Sequence, residues 1–165
     1  AWLQRQSYVA GTRIGAMGFS HGGGMALALA VEEVRQFTSP AAPRFRVSAP
    51  FYPGGCGVAI TEQGRQLLAA RVRIPTLIFH GAKDDWTPAA PCQAWVEQAR
   101  RRGDPISIVV YPDAHHSFDQ VDRPVTRLPF PRADGSGQRG VTLGGNVAAR
   151  DAARRDLLAF LKRSL

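Results

Sequence analysis

Residues 12–24 read Thr12-Arg13-Ile14-Gly15-Ala16-Met17-Gly18-Phe19-Ser20-His21-Gly22-Gly23-Gly24. Thr12 to Gly18 is a short run bounded by glycines, as a buried strand would be. Residues 21–36 carry apolar groups at Met25, Leu29 and Val34, spaced for one face of a helix. At the junction, Gly18-Phe19-Ser20-His21-Gly22 fits Gly-x-Ser-x-Gly, directly after a strand and directly before a helix. So sharp a turn forces its central residue into a strained backbone conformation, and the residues two before and two after it must be small. Gly18 and Gly22 meet that demand, while Gly23 and Gly24 let the helix lie close on a sheet. Ser20 is thereby a candidate nucleophile. The helix start behind it aims backbone N–H groups, that of His21 first, at any oxyanion formed on an attacked carbonyl.

The same alternation continues outward. Phe45–Phe51 is strand-like and closed by Pro53-Gly54-Gly55; Ile74–Phe79 is a strand with its proline near the start; Ile106–Tyr111 is a β-branched apolar run. Residues 63–71 predict a short helix. Thr87-Pro88 places a cap residue before a first-turn proline, and the helix that follows runs to about Arg102 with Cys92, Trp95, Val96 and Ala99 on one side. Val147 to Leu165 predicts a closing amphipathic helix with Leu157, Leu158, Phe160 and Leu161 near its end, and Ala1 to Tyr8 reads as the tail of a helix. Four strands alternating with helices imply a parallel α/β sheet covered on both faces. Residues 119–146 hold Pro124, Pro129, Pro131 and five glycines without a period. An excursion of that length predicts a loop forming a wall or lid near a site.

Composition narrows the classes. The chain has 165 residues, 44% hydrophobic and 21% charged, which suits a single globular domain and excludes wholesale disorder. Its longest apolar stretch, Met25 to Val31, is far below the ~20 residues that cross a bilayer. Lys and Arg exceed Asp and Glu by 21 to 13, but nineteen of those cations are arginines spread along the chain from Arg5 to Arg163. Only Arg100-Arg101-Arg102 clusters, at a helix end where cations favour the dipole. Without interleaved aromatics this is a solvated basic surface, and no nucleic-acid partner is expected. Ala1-Trp2-Leu3-Gln4 lacks the start of a signal peptide.

Two other loops join Ser20. His80-Gly81-Ala82-Lys83-Asp84-Asp85-Trp86 follows the third strand, and Tyr111-Pro112-Asp113-Ala114-His115-His116-Ser117-Phe118 the fourth. Serine, carboxylate and histidine, in that order, thus each follow a separate strand. In parallel sheets those are the carboxyl ends, where ligands bind. Three such loops can bring hydroxyl, imidazole and carboxylate within hydrogen-bond reach, with imidazole as general base and carboxylate as its orienter. Asp113, His115, His116 and Asp119 lack the spacing of a metal-ligand set, and no phosphate-cradling glycine loop is present, so no metal or cofactor is expected. His80 is read as satisfying backbone groups at its strand end, and Trp86 either lines a substrate pocket or packs.

At Gly18-Phe19-Ser20-His21-Gly22-Gly23, Phe51-Tyr52-Pro53-Gly54, Gly81 to Pro88 and Tyr111 to Phe118, the chain resembles the dienelactone hydrolase family of the α/β-hydrolase fold. The resemblance runs from about Arg13 to Leu165. It implies that Ser20 is the nucleophile, Asp84 the acid and His116 the base. Asp84 is preferred over Asp85 by the Gly-x-x-Asp-x-x-x-Pro spacing, and His116 over His115 by the aromatic two residues on. The name-giving enzymes carry cysteine where this chain has Ser20, so the resemblance is to serine-bearing, esterase-like members. It further implies that about four strands, and a loop giving a second oxyanion donor, belong ahead of Ala1, with residues 1–165 the C-terminal part of one domain. The expected activity is hydrolysis of a small ester or lactone through an acyl-enzyme. A peptidase, an acyltransferase or a non-catalytic domain of the same fold are the alternatives. Cys56 and Cys92 resemble cysteines of exported relatives, which implies a disulfide and a periplasmic or secreted protein; the alternative is two free thiols in a cytoplasmic one.

Overall fold

The computed structural model describes residues 2–38, 41, 43–56 and 70–165. Four strands form one parallel sheet in the order β1-β2-β3-β4: β1 (Ala16–Phe19), β2 (Ser48–Phe51), β3 (Thr76–Gly81) and β4 (Ile106–Tyr111). All four match runs expected to be strands, although β1 begins at Ala16 rather than Thr12. Every residue of β3 is buried, and its side chains alternate between two cores. Ile78 joins Leu27, Val31, Trp95 and Val96 under the helices α1 (His21–Ala28) and α3 (Ala89–Arg101). Leu77 and Phe79 join Phe51, Phe118, Ala153 and Phe160 beneath α4 (Val147–Ser164) on the opposite face. A continuous apolar strand is thus explained by cover on both sides.

The single helix expected over 21–36 is two. After α1 the chain breaks, Val31 bridges to Val72, and α2 (Glu32–Thr38) starts afresh. The buried face also differs from the expected one: Met25 and Leu29 are exposed, while Gly23, Ala26 and Leu27 are buried. Gly23 and Ala26 are small because there α1 lies directly on the sheet, while Leu27 reaches into the core beside it. A Cβ on Gly23 would come within 2.5 Å of the Phe51 carbonyl oxygen, and the Ser48 hydroxyl donates to the Ala26 carbonyl at 2.7 Å. In α3 the predicted face holds, with Cys92, Trp95, Val96 and Ala99 all buried. In α4 Phe160 is buried but Leu158 is exposed. The expected helix at the start is a single 3₁₀ turn, Leu3–Arg5. The helix expected over 63–71 lies, save its last two positions, outside the described residues.

The 119–146 excursion is not simply a loop. It contains an antiparallel hairpin of β5 (Thr126–Pro131) and β6 (Arg139–Leu143). The hairpin is tied to the sheet's carboxyl edge: Asp85 accepts from the Thr142 N–H at 2.6 Å and from its hydroxyl at 3.0 Å, and the Ala133 N–H donates to the Trp86 carbonyl at 2.9 Å. Cys56 and Cys92 form a disulfide with Cα atoms 4.8 Å apart. Because β2 and β3 are neighbours, the loop after one and the helix after the other start at the same edge. Among the described residues no helix is long and apolar enough to cross a membrane.

Candidate active site

Ser20 sits between β1 and α1 with φ 52° and ψ −117°, a strained conformation for a residue with a side chain. Its N–H donates to the Phe51 carbonyl at 3.0 Å and its own carbonyl accepts from the Gly24 N–H at 2.9 Å, so both sides of the turn are pinned. Gly18 is required sterically, since a Cβ there would collide with the Gly22 carbonyl. Gly22 is different from the expectation. A Cβ on Gly22 meets nothing within 4 Å, and what the turn needs there is the close-lying backbone. Although Ser20 stands at the N-cap position of α1, its side chain makes no capping bond. The hydroxyl is left for another partner.

That partner is His116. Ser20 Oγ lies 2.8 Å from His116 Nε2, and His116 Nδ1 lies 2.8 Å from Asp84 Oδ2. A carboxylate only accepts, so Nδ1 carries the proton and Nε2 presents its lone pair to the Ser20 hydroxyl, which donates. Asp84 Oδ1 accepts the backbone N–H groups of Trp86 at 3.0 Å and Thr87 at 2.9 Å. Asp84 and His116 are both buried, and the loop carrying His116 is fixed by a Gly144 N–H donated to the His116 carbonyl at 3.0 Å. Such a connected, desolvated chain of hydrogen bonds can move a proton from hydroxyl to imidazole while the carboxylate steadies the resulting cation. The alternatives one residue away are elsewhere: Asp85 holds Thr142, and His115 Nδ1 faces the Lys83 carbonyl at 3.0 Å.

The remaining candidates sort by geometry. His21, first residue of α1, lies directly after the serine, as an oxyanion donor must. Trp86 packs its ring against His116, with centroids 4.9 Å apart, and stacks on Phe130 of β5 at 5.7 Å. His80 is wholly buried with Nδ1 only 3.4 Å from the Gly81 carbonyl and 4.0 Å from Asp84 Oδ2, while its Nε2 finds no partner among the described residues. Burial holds its pKa below the usual histidine value against the opposing charge of Asp84. Asp113 pairs with Lys83 at 2.7 Å and Asp119 accepts from the Tyr52 hydroxyl at 2.5 Å. No metal-sized group of acidic, histidine or cysteine side chains occurs among the described residues.

Two contributors were not singled out as site residues by the sequence. Tyr52 has φ 34° and sets its ring edge-on to His116, centroids 4.6 Å apart. Thr87 was expected to cap α3, yet Pro88 takes the N-cap position and no side chain caps it. The Thr87 hydroxyl turns instead toward Asp84 and His116, at 3.0 and 3.1 Å.

Comparison with known proteins agrees with this architecture. MGS-M1, an alpha/beta hydrolase enzyme from a Medee basin deep-sea metagenome library, is similar in structure with TM-score 0.61 and 18% identity, over 98% of this chain and 61% of that one. The thermophilic esterase Est2 of the Planctomycetes species Thermogutta terrifontis gives TM-score 0.64 and 17% identity, over 97% and 59%. At such identities the likeness shows the α/β-hydrolase fold. This chain spans less than two thirds of the length of either structure. A stretch of 54 residues is 39% identical to methylphloroacetophenone synthase of Cladonia uncialis, 33% of this chain and 2% of that protein. The family match itself runs over residues 1–165, and the chain belongs to the dienelactone hydrolase family.

Proposed function

We propose that the protein hydrolyses a carboxylic ester or lactone of a small molecule, with Ser20 as nucleophile, His116 as general base and Asp84 as its orienting acid. The observation that carries this is the unbroken run from Ser20 Oγ through His116 to Asp84 Oδ2, with both links at 2.8 Å. Ser20 Oγ attacks the carbonyl carbon as its proton passes to His116 Nε2, and the carbonyl oxygen becomes an oxyanion facing the His21 N–H. Collapse of that intermediate breaks the acyl–oxygen bond, and the imidazolium returns its proton to the departing alkoxide. Water then repeats the sequence on the acyl-serine, with His116 first base and then acid, and releases the carboxylic acid. Water is the only co-reactant. Trp86, packed against His116 and stacked on Phe130, offers an aromatic surface beside the base that would suit an apolar portion of the substrate.

The same relay would serve a peptidase or an acyltransferase, so substrate panels decide among them, whereas a non-catalytic domain has no use for it. A fluorophosphonate probe applied to the full-length protein tests the reading. Labelling at Ser20, lost in Ser20→Ala, together with turnover of p-nitrophenyl acetate, is the expected result; an unlabelled Ser20 in folded protein overturns it. The disulfide supports placing the protein in an oxidising compartment, the periplasm or the outside of the cell.

A further inference from the structure

Thr87 stands where three groups of the site meet. Its Oγ1 is 3.0 Å from Asp84 Oδ2, 3.1 Å from His116 Nδ1 and 3.3 Å from the Tyr52 carbonyl, and the residue is buried. A hydroxyl has one proton and two lone pairs. The carboxylate, charged and nearer than the Tyr52 carbonyl, is the better acceptor for that proton. A lone pair is then left facing the Nδ1–H of His116, which lies between Asp84 Oδ2 and Thr87 Oγ1. The methyl does something separate: it lies against the loop after β2, where a Cβ built on Gly54 would be 3.3 Å from Thr87 Cγ2. Capping α3 accounts for none of this, because the cap position is Pro88.

We propose that Thr87 is a positioning residue of the relay. Its hydroxyl is the second acceptor that fixes the His116 ring plane and its Nδ1–H tautomer. It is also the fourth donor to Asp84, beside the Trp86 and Thr87 N–H groups and His116 Nδ1. The carboxylate is thereby held still, and kept an acceptor, while the imidazole gains and loses its proton. This rests on the ester-hydrolase reading above, in which His116 is the base.

The hydroxyl and the methyl can be removed independently. Thr87→Val keeps the branched shape and the packing on the loop after β2 but deletes the hydroxyl; Thr87→Ser keeps the hydroxyl and deletes the methyl. In the full-length protein, T87V is expected to lower kcat for p-nitrophenyl acetate about tenfold, the size of one lost hydrogen bond to a charged network, with KM within about twofold of wild type. T87S restores kcat to within about threefold, a small loss for a retained hydrogen bond. The His116 Nδ1–H resonance in the proton NMR spectrum of resting protein moves in T87V and returns in T87S. That spectrum needs no turnover. A wild-type protein without ester turnover or fluorophosphonate labelling would overturn the hydrolase reading, whereas the resonance judges Thr87 by itself. An unmoved resonance in T87V, or a T87S as slow as T87V, overturns the positioning role. If T87V does not fold, Thr87→Ala compared with T87S makes the same distinction.

Discussion

Ser20, His116 and Asp84 are distinguished from their neighbours by contacts that a one-residue error would forfeit. His116→Ala removes the group that links Ser20 Oγ to Asp84, and turnover should fall by several orders of magnitude. His115→Ala removes a bond to the Lys83 carbonyl, away from Ser20 and Asp84, and should keep most of it. Asp84→Asn offers an amide where the Nδ1–H must be accepted, favours the wrong tautomer, and should cost about 10⁴ in kcat as in other triads. Asp85→Asn leaves an oxygen for the Thr142 N–H, and kcat should stay within a few-fold. Steady-state kinetics on the four variants checks all of this. His80 supplies a pH test. Burial depresses its pKa in the folded protein, so the unfolded chain takes up a proton as pH falls through about 6.5 while the folded chain does not. Its contribution to stability is therefore complete above that pH and declines below it. His80→Gln, similar in size and without a titration, should flatten the fall of the urea midpoint between about pH 6.5 and 5.

At the scale of elements, the turn between β1 and α1 divides its glycines into two kinds. Gly18 and Gly23 are closed off, one by the Gly22 carbonyl and the other by the Phe51 carbonyl, whereas Gly22 faces open space. Gly18→Ala should destabilise by about 1–3 kcal/mol, the usual cost of forcing a methyl into a filled place, and displace Ser20. Gly22→Ala should be neutral or slightly stabilising, because alanine loses less backbone entropy in a helix than glycine. Urea unfolding and the rate of fluorophosphonate labelling would show the contrast; equal losses in both variants would refute it. The β5–β6 hairpin belongs to this scale as well. Asp85, Trp86 and Ala133 hold it against the loop that carries Asp84, so the wall beside His116 is a clamped element.

For the molecule as a whole, the disulfide joins the loop after β2 to α3 across 36 positions. Closing a loop of that length restricts the unfolded chain and contributes about 3–4 kcal/mol in the chain-entropy account. Reduction should accordingly lower the unfolding midpoint by about 10 °C in a protein of this size, read by calorimetry with and without reductant. Mass spectrometry of non-reduced peptides from protein recovered from an oxidising compartment should find Cys56 linked to Cys92; two alkylatable thiols there would end the linkage and with it the argument from the disulfide to the compartment.

The sequence by itself determined the parallel α/β class, the four strands of the main sheet and the face of α3, and it singled out Ser20, Asp84 and His116 as candidates, which the fold brings within hydrogen-bond reach of one another. Those are written in local patterns: apolar runs punctuated by Gly and Pro, Gly-x-Ser-x-Gly at a strand end, and an acid and a histidine after later strands. Only the tertiary structure decided which side chains share a hydrogen bond. The Thr87 hydroxyl meets His116 from 29 positions away and the Tyr52 carbonyl from 35, and nothing in a cap-like Thr-Pro pair announces either partner. The break between α1 and α2, the burial of Gly23 and Ala26 in place of Met25 and Leu29, and the pairing of β5 with β6 were undetermined for the same reason. Helix periodicity says that a face exists, but the distance at which the sheet lies beneath it decides whether large or small residues fill that face.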